Sequence, residues 1–274
     1  MAYATVMVHV DIDGSSDARI RLAATLADRF MATLIGISSC ILPPYPTEGA
    51  YFVTRELIEE ERRDMAVSLK RVEAAFRAQA GPDRTGVEWR SAIEVPDDYI
   101  AANARSGDLL VIGRDQGSGG ICRTIDPGTT VLTTGRPVLL VPPGVDTLKA
   151  EYVVIGWKES REARRVLSDA LPFLHQAKAV SIVEVCEAGM ESAGQQHVDD
   201  VAQYLARHRI TVGSALTVLA AGDVATELIR RANAEGADLI VSGAYGHSRL
   251  GEWVFGGVTR ALLAASPVCC LMAH

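Results

Sequence analysis

Short apolar runs alternate along this chain with longer segments of helical spacing. Val6–Val10, Thr33–Ser39, Val87–Ala92, Asp108–Gly113 and Pro137–Val141 read as strands. Between the first two, Ile20, Ala24, Ala27 and Met31 recur every three or four residues and predict a helix over Ser15–Met31. Met65, Leu69, Val72 and Phe76 mark a longer amphipathic helix, and shorter ones are predicted at Asp97–Arg105 and Thr129–Thr134. The second half follows suit. Its strands are Tyr152–Trp157, Ala179–Cys186, Ile210–Val218, Leu239–Ser242 and Val268–Met272. Its helices are Ser160–His175, Gln195–Arg207, Asp223–Ala234 and Val258–Ala264. Near-continuous apolar strands alternating with helices predict parallel sheets covered on both faces.

The halves repeat one plan. VMVHVD from Val6 parallels VVIGWK from Val153, DLLVIG from Asp108 parallels DLIVSG from Asp238, and PVLLV from Pro137 parallels PVCCL from Pro267. The offset is 147 residues at the first strand and 130 at the last two, so the first half is 17 residues longer between them. The segment Ile41–Thr54, rich in Pro and Gly, accommodates that excess. A repeat of about 140 residues is domain-sized, too long for a solenoid module. Two domains are expected, at 1–145 and 150–274, joined by the link Pro142–Lys149.

Composition narrows the class. Hydrophobic residues make up 48% and charged residues 22% of 274, enough for full cores in a globular protein. The net charge of -7 argues against nucleic-acid binding and against a basic membrane-surface helix. No apolar run approaches the roughly 20 residues needed to span a bilayer, and no N-terminal signal is visible. Five scattered cysteines without a C-x-x-C pair point to reduced thiols and a cytoplasmic location. Cys269 and Cys270, adjacent on a strand, should face opposite ways.

The chemistry concentrates in GAYGHSRLGEWVFGGVT, from Gly243 to Thr259. Its glycines fall as G-x2-G-x9-G, between an apolar strand and a helix. Such a strand-to-helix passage presents backbone N–H groups and a helix dipole to an anion, and glycine lets a phosphate approach the backbone. Taken alone, the spacing equally fits glycines that only shape tight turns.

With the repeat, the strand order and this loop in place, the chain resembles the universal stress protein family, as a tandem of two domains fused end to end. The resemblance spans essentially the whole chain, and Gly243, Gly246 and Gly256 match the family's phosphate loop in full. It implies two flavodoxin-like (adenine nucleotide alpha hydrolase-like) α/β domains, each with a five-stranded parallel sheet and helices on both faces. It implies too that the fifth strands, Pro137–Val141 and Pro267–Met272, pair antiparallel within the chain, an intrachain pseudo-dimer. Further dimerisation stays open. The family's ATP-binding members would place the phosphates, with Mg, on Gly243, Gly246, Gly256, Gly257, Val258 and Thr259. The base and ribose would lie against Gly156, Trp157, Lys158 and Val185.

This chain departs from that pattern. Gly257 stands where Ser or Thr is usual, losing a hydroxyl hydrogen bond of about 0.5–1.5 kcal/mol. Thr259 could restore one. Lys158 replaces an Asp, so a donor stands where the family has an acceptor, unless Glu159 takes over. The first half has the converse pattern. Asp11 holds the Asp position, but Gln116 replaces the second loop glycine, Gly128 has the wrong spacing, and Asp115 and Asp126 would repel a triphosphate. That half is expected to bind nucleotide poorly or not at all.

Among other residues, Arg249 after His247 reads as a solvated loop charge before a phosphate contact. Tyr245 and Trp157 read as packing before base platforms, and His9 as a satisfied core histidine. The motifs of serine hydrolases, zinc proteases and P-loop enzymes are missing from the sequence. The leading expectation is a stress-response protein that binds an adenine nucleotide in its second half without committed catalysis. A partner-binding scaffold that has lost the nucleotide, and a slow ATP hydrolase, are the alternatives.

Overall fold

Leucine, valine and isoleucine runs become strands because both of their faces are covered. The computed structural model describes residues 2–13, 16–42, 54–114, 124–219, 223–246 and 257–274. In the first half the order is β1 (Thr5–His9), α1 (Asp17–Phe30), β2 (Thr33–Ser39), α2 (Arg55–Ala80), β3 (Val87–Ala92), α3 (Pro96–Asn103), a 3-10 turn (Ala104–Ser106), β4 (Leu109–Gly113), α4 (Pro127–Thr133) and β5 (Val138–Val141). The second half gives β6 (Tyr152–Trp157), α5 (Arg161–Leu174), β7 (Ala179–Cys186), α6 (Glu191–Arg207), β8 (Val212–Leu219), α7 (Val224–Glu235), β9 (Leu239–Gly243), α8 (Gly257–Ala265) and β10 (Cys269–Ala273).

The strands form one ten-stranded sheet in the order β3-β2-β1-β4-β5-β10-β9-β6-β7-β8. Within each half every pairing is parallel. The halves meet where β5 and β10 pair antiparallel, Leu139 opposite Leu271. That is the pairing the resemblance implies, and it covers two apolar edges that would otherwise be open.

Alternation along the strands builds two cores. Val6, Val8, Leu239 and Val241 face one side with α1, α2, α5 and α6; Met7, Ile240 and Leu110 face the other with α3, α4, α7 and α8. Cys269 and Cys270 lie in opposite cores, as expected of strand neighbours, and both are free thiols. The first core runs across both halves. Tyr3, Phe30 and Phe173 meet edge to face with centroids 5.0–5.6 Å apart. Local signals set the helix starts: Ser160, Asp126 and Asp223 each accept from the backbone N–H three residues on.

Candidate functional site

Three neighbouring strands of the second half, β9, β6 and β7, end together at the carboxyl edge of the sheet. Beyond them opens a cleft of about 480 Å³. Its floor is Gly156 and Trp157 of β6 and Val183 and Val185 of β7. Val224 and Leu228 of α7 wall one side, and Ser242, Gly243, Tyr245 and Gly246 the other. The start of α8, with Gly257, Val258 and Thr259, closes the end.

Nine of the ten residues singled out from the sequence meet here: Gly156, Trp157, Lys158, Val185, Gly243, Gly246, Gly257, Val258 and Thr259. Gly256 lies outside the described residues, as do Gln116, Asp115, His247 and Arg249. Sequence reasoning missed Glu184, Glu187, Cys186 and Met190, which line the β7 end of the cleft. Their only signal is position, just at or after the second strand of the half.

Close packing accounts for several glycines. A Cβ on Gly243 would sit 2.7 Å from Ala163 N, backbone against backbone, so the end of β9 touches the first turn of α5. A Cβ on Gly156 would meet Leu228 Cδ1 at 2.8 Å. At Gly246 it would meet Glu162 Oε2 at 3.0 Å and Ser160 Oγ at 3.2 Å. Gly257 differs, since among the described residues nothing lies within 4 Å of an added Cβ. Close packing on one side of Gly156, Gly243 and Gly246 and the open cleft on the other therefore coexist.

Two backbone amides at the start of the loop are already used. Ala244 N donates to Ala273 O at 2.9 Å, and Tyr245 N to Thr259 Oγ1 at 3.1 Å. Thr259 is 4% exposed, so its hydroxyl ties the loop to α8 instead of standing clear for a ligand. Beyond them α8 begins, and an α-helix leaves its first N–H groups without intrahelical partners.

Charge is mixed around the cleft. Lys158 lines it with Glu184 and Glu187. Glu184 accepts from His197 Nδ1 at 3.2 Å. Buried Glu162 stands behind Gly246. Burial alone would raise its carboxyl, but hydrogen bonds from Arg161, its own amide and Ser160 outweigh that and hold it below the ordinary value. Glu159 does not replace the missing acceptor: it pairs with Arg164 and lines a separate groove between α5 and α6. Trp157 is the wall common to both hollows. It belongs to the core, as expected, and its indole N–H has no hydrogen-bond partner among the described residues. Tyr245 packs against the second core with left-handed backbone (φ 59°) and also lines the cleft. Its hydroxyl is pushed up to about 12, by burial first and then by the charge of Asp126.

The corresponding region of the first half is built differently. Asp126 caps α4, accepting from Thr129 N at 2.7 Å, and its own amide points at the Asp97 carboxylate. That helix start already holds carboxylates where a phosphate would go. His9 is buried, yet among the described residues neither ring nitrogen makes a hydrogen bond, and Nδ1 lies 3.4 Å from Asp11 Oδ1. The expectation of a satisfied core histidine fails, because the strand-end backbone around it spends its polar groups elsewhere.

Comparison with known proteins bears on this geometry. Residues 152–274 match the sequence model of the Universal stress protein family. Over its whole length the chain is similar in fold to a universal stress protein from Archaeoglobus fulgidus DSM 4304, at 14% identity, 98% coverage of each chain and TM-score 0.70. A putative universal stress protein from Pseudomonas aeruginosa UCBPP-PA14 gives 13% identity, 99% of this chain, 93% of that one and TM-score 0.61. A functionally unknown protein from Pseudomonas aeruginosa PAO1 gives 12%, 99%, 92% and 0.60. No curated protein matches the chain.

Proposed function

As the second half of this chain belongs to the universal stress protein family and the first half repeats its fold, we propose that the protein is a stress-response protein binding one adenine nucleotide in the second-half cleft. The observation that carries the reading is the convergence of nine sequence-selected residues on one cleft at the carboxyl ends of parallel strands. Ligands of open α/β sheets sit in that place. A volume of about 480 Å³ suits a small molecule of this size class.

The residues present fit such a ligand. Phosphates would take the start of α8 and the backbone at Gly246 and Gly257, where the helix dipole favours an anion. The base would lie on Val183, Val185 and Leu228, with Glu184 and Glu187 in place as acceptors for an amine. Lys158, at the end of the middle strand, would meet the central part of the ligand as a donor. No cluster of three or more metal-binding side chains exists among the described residues. Magnesium would therefore arrive on the phosphates, its ordinary habit. The reading stops at binding and assigns no catalytic residue. Division into domains at 1–145 and 150–274, and a cytoplasmic location, belong to the same proposal; no described helix is long and apolar enough to cross a membrane.

Isothermal titration with ATP and Mg²⁺ tests it. About one equivalent of ATP per chain should bind. Gly246→Leu should abolish the heat, because its side chain would enter the space held by Glu162 and Ser160. No heat at millimolar ATP with folded protein would overturn the reading.

One set of observations favours a second reading, a scaffold that binds a protein partner and has lost the nucleotide. Lys158 replaces an acceptor, and the Thr259 hydroxyl is spent inside the protein. A melting temperature unmoved by ATP, AMP or ADP would support it.

A further inference from the structure

The halves differ where the end of the first strand faces the first turn of the following helix. In the second half this place is part of the cleft. Lys158 follows β6, Ala163 is the third residue of α5, and Gly243 at the end of β9 lies against Ala163. In the first half the same positions hold Asp11, Arg19 and Gly113. Arg19 is the third residue of α1 after Ser16, as Ala163 is of α5 after Ser160. A Cβ added to Gly113 would overlap Arg19 Nη1, so the guanidinium lies directly over the end of β4.

That guanidinium is held on several sides and Arg19 is only 7% exposed. Its Nε donates to the His9 carbonyl at 2.9 Å. Nη2 donates to Ser16 Oγ at 2.8 Å and to the Asp11 carboxylate. Ser16 Oγ also accepts the Asp11 N–H at 2.9 Å and lies 3.2 Å from Asp11 Oδ2. Burial would raise the Asp11 carboxyl, yet the charges of His9 and Arg19 and these hydrogen bonds bring it below the ordinary value. Such a buried charge persists only when it is paired and its donors are matched. The two halves have thus exchanged charges: acid on the strand with a cation on the helix in the first, cation on the strand with a small alanine in the second. Among the described residues, the second arrangement lines an open cleft, whereas in the first the Arg19 guanidinium occupies the corresponding place.

We infer that the first half is self-liganded: Arg19 is a built-in guest, and Asp11, Ser16 and the His9 carbonyl form a guanidinium-binding site in the place that the second half opens to an external ligand. The receptor stands on the first half's own geometry, while its equivalence to a ligand site rests on the nucleotide reading above. The planar fork matters, since an ammonium cannot reach a carbonyl, a hydroxyl and a carboxylate from fixed directions at once.

Chemical rescue tests this. Arg19→Ala in the full chain should melt roughly 10 °C below the wild type, as expected for a buried charge stripped of its partner. Ethylguanidine at low millimolar concentration should return several degrees to Arg19→Ala and none to the wild type. Ethylamine should not substitute, and the double variant Asp11→Asn with Arg19→Ala should not respond. If Arg19→Ala is recovered only unfolded, refolding with and without ethylguanidine is the readout, with native near-ultraviolet circular dichroism expected only with it. Equal shifts in wild type and variant, no response of the variant, or rescue that survives without Asp11 would overturn the inference. A second arm transplants the guest: Lys158→Asp with Ala163→Arg should remove ATP heat from a folded protein, and unchanged heat would count against the equivalence. Should the wild type itself bind no ATP, the nucleotide reading falls and the guanidine arm still decides this one.

Discussion

His9 shows how much one buried side chain can cost. Its imidazole lies in the core with no hydrogen bond to any described residue, and burial lowers its pKa to about 4, with Asp11 pulling upward and Arg19 downward. The unfolded chain takes up a proton near pH 6.5 that the folded protein refuses until about pH 4. The unfolded state therefore binds more protons in that window, and stability must fall as the pH drops through it. Between pH 7 and 5 the loss should be about 2 kcal/mol. Urea denaturation at a series of pH values checks this, and His9→Gln should flatten the dependence. A slope that His9→Gln leaves unchanged would place the titration elsewhere. Residue identity alone predicted burial of His9 correctly. It could not predict the unmet nitrogens, because those depend on where Asp11 and Arg19 put their atoms.

Among elements, the junction of β9, α5 and α8 decides what the cleft can hold. Gly243 opens the loop motif and Gly257 follows its last glycine, yet their surroundings among the described residues are opposite. Gly243→Ala drives a methyl group into the α5 backbone and should cost about 1–3 kcal/mol in thermal or urea unfolding. Gly257→Ser meets no described atom within 4 Å of its Cβ and adds a hydroxyl at the helix start. If the nucleotide reading holds, it should tighten ATP binding by roughly twofold to tenfold in titration, the worth of one hydrogen bond. Unchanged affinity would show that the phosphates lie away from that residue. The motif's spacing was legible in the sequence. The separate reasons for its glycines were not, since Ala163 beside Gly243 and Glu162 and Ser160 beside Gly246 come from a region far back along the chain.

At the scale of the molecule, one sheet and one shared core join the halves. β5 and β10 pair across the seam, and Tyr3 and Phe30 of the first half pack on Phe173 of the second. The Tyr3 hydroxyl donates to the Asp169 carbonyl, and Arg29 reaches the carbonyls of Leu148 and Lys149 in the link. Such continuity predicts that both halves unfold in a single transition. Phe173→Ala, at a fully buried position, should lower stability by about 3–5 kcal/mol. Unfolding followed by Trp89 and Trp157 fluorescence should show both halves losing structure together. Two separated transitions would mean that the seam contributes little.

The sequence by itself determined the strand and helix order, the repeat, the burial of the inner strands on both faces and the family resemblance, because apolar periodicity and glycine spacing are local properties written in consecutive residues. It also pointed to nine of the residues that line the cleft. Only the tertiary structure decided that Glu159 turns away, that the Thr259 hydroxyl is consumed by Tyr245, and that Arg19 fills in one half what Ala163 leaves open in the other. Those outcomes rest on contacts between side chains and strand ends brought together by the sheet, and no window along the chain contains both partners' positions in space.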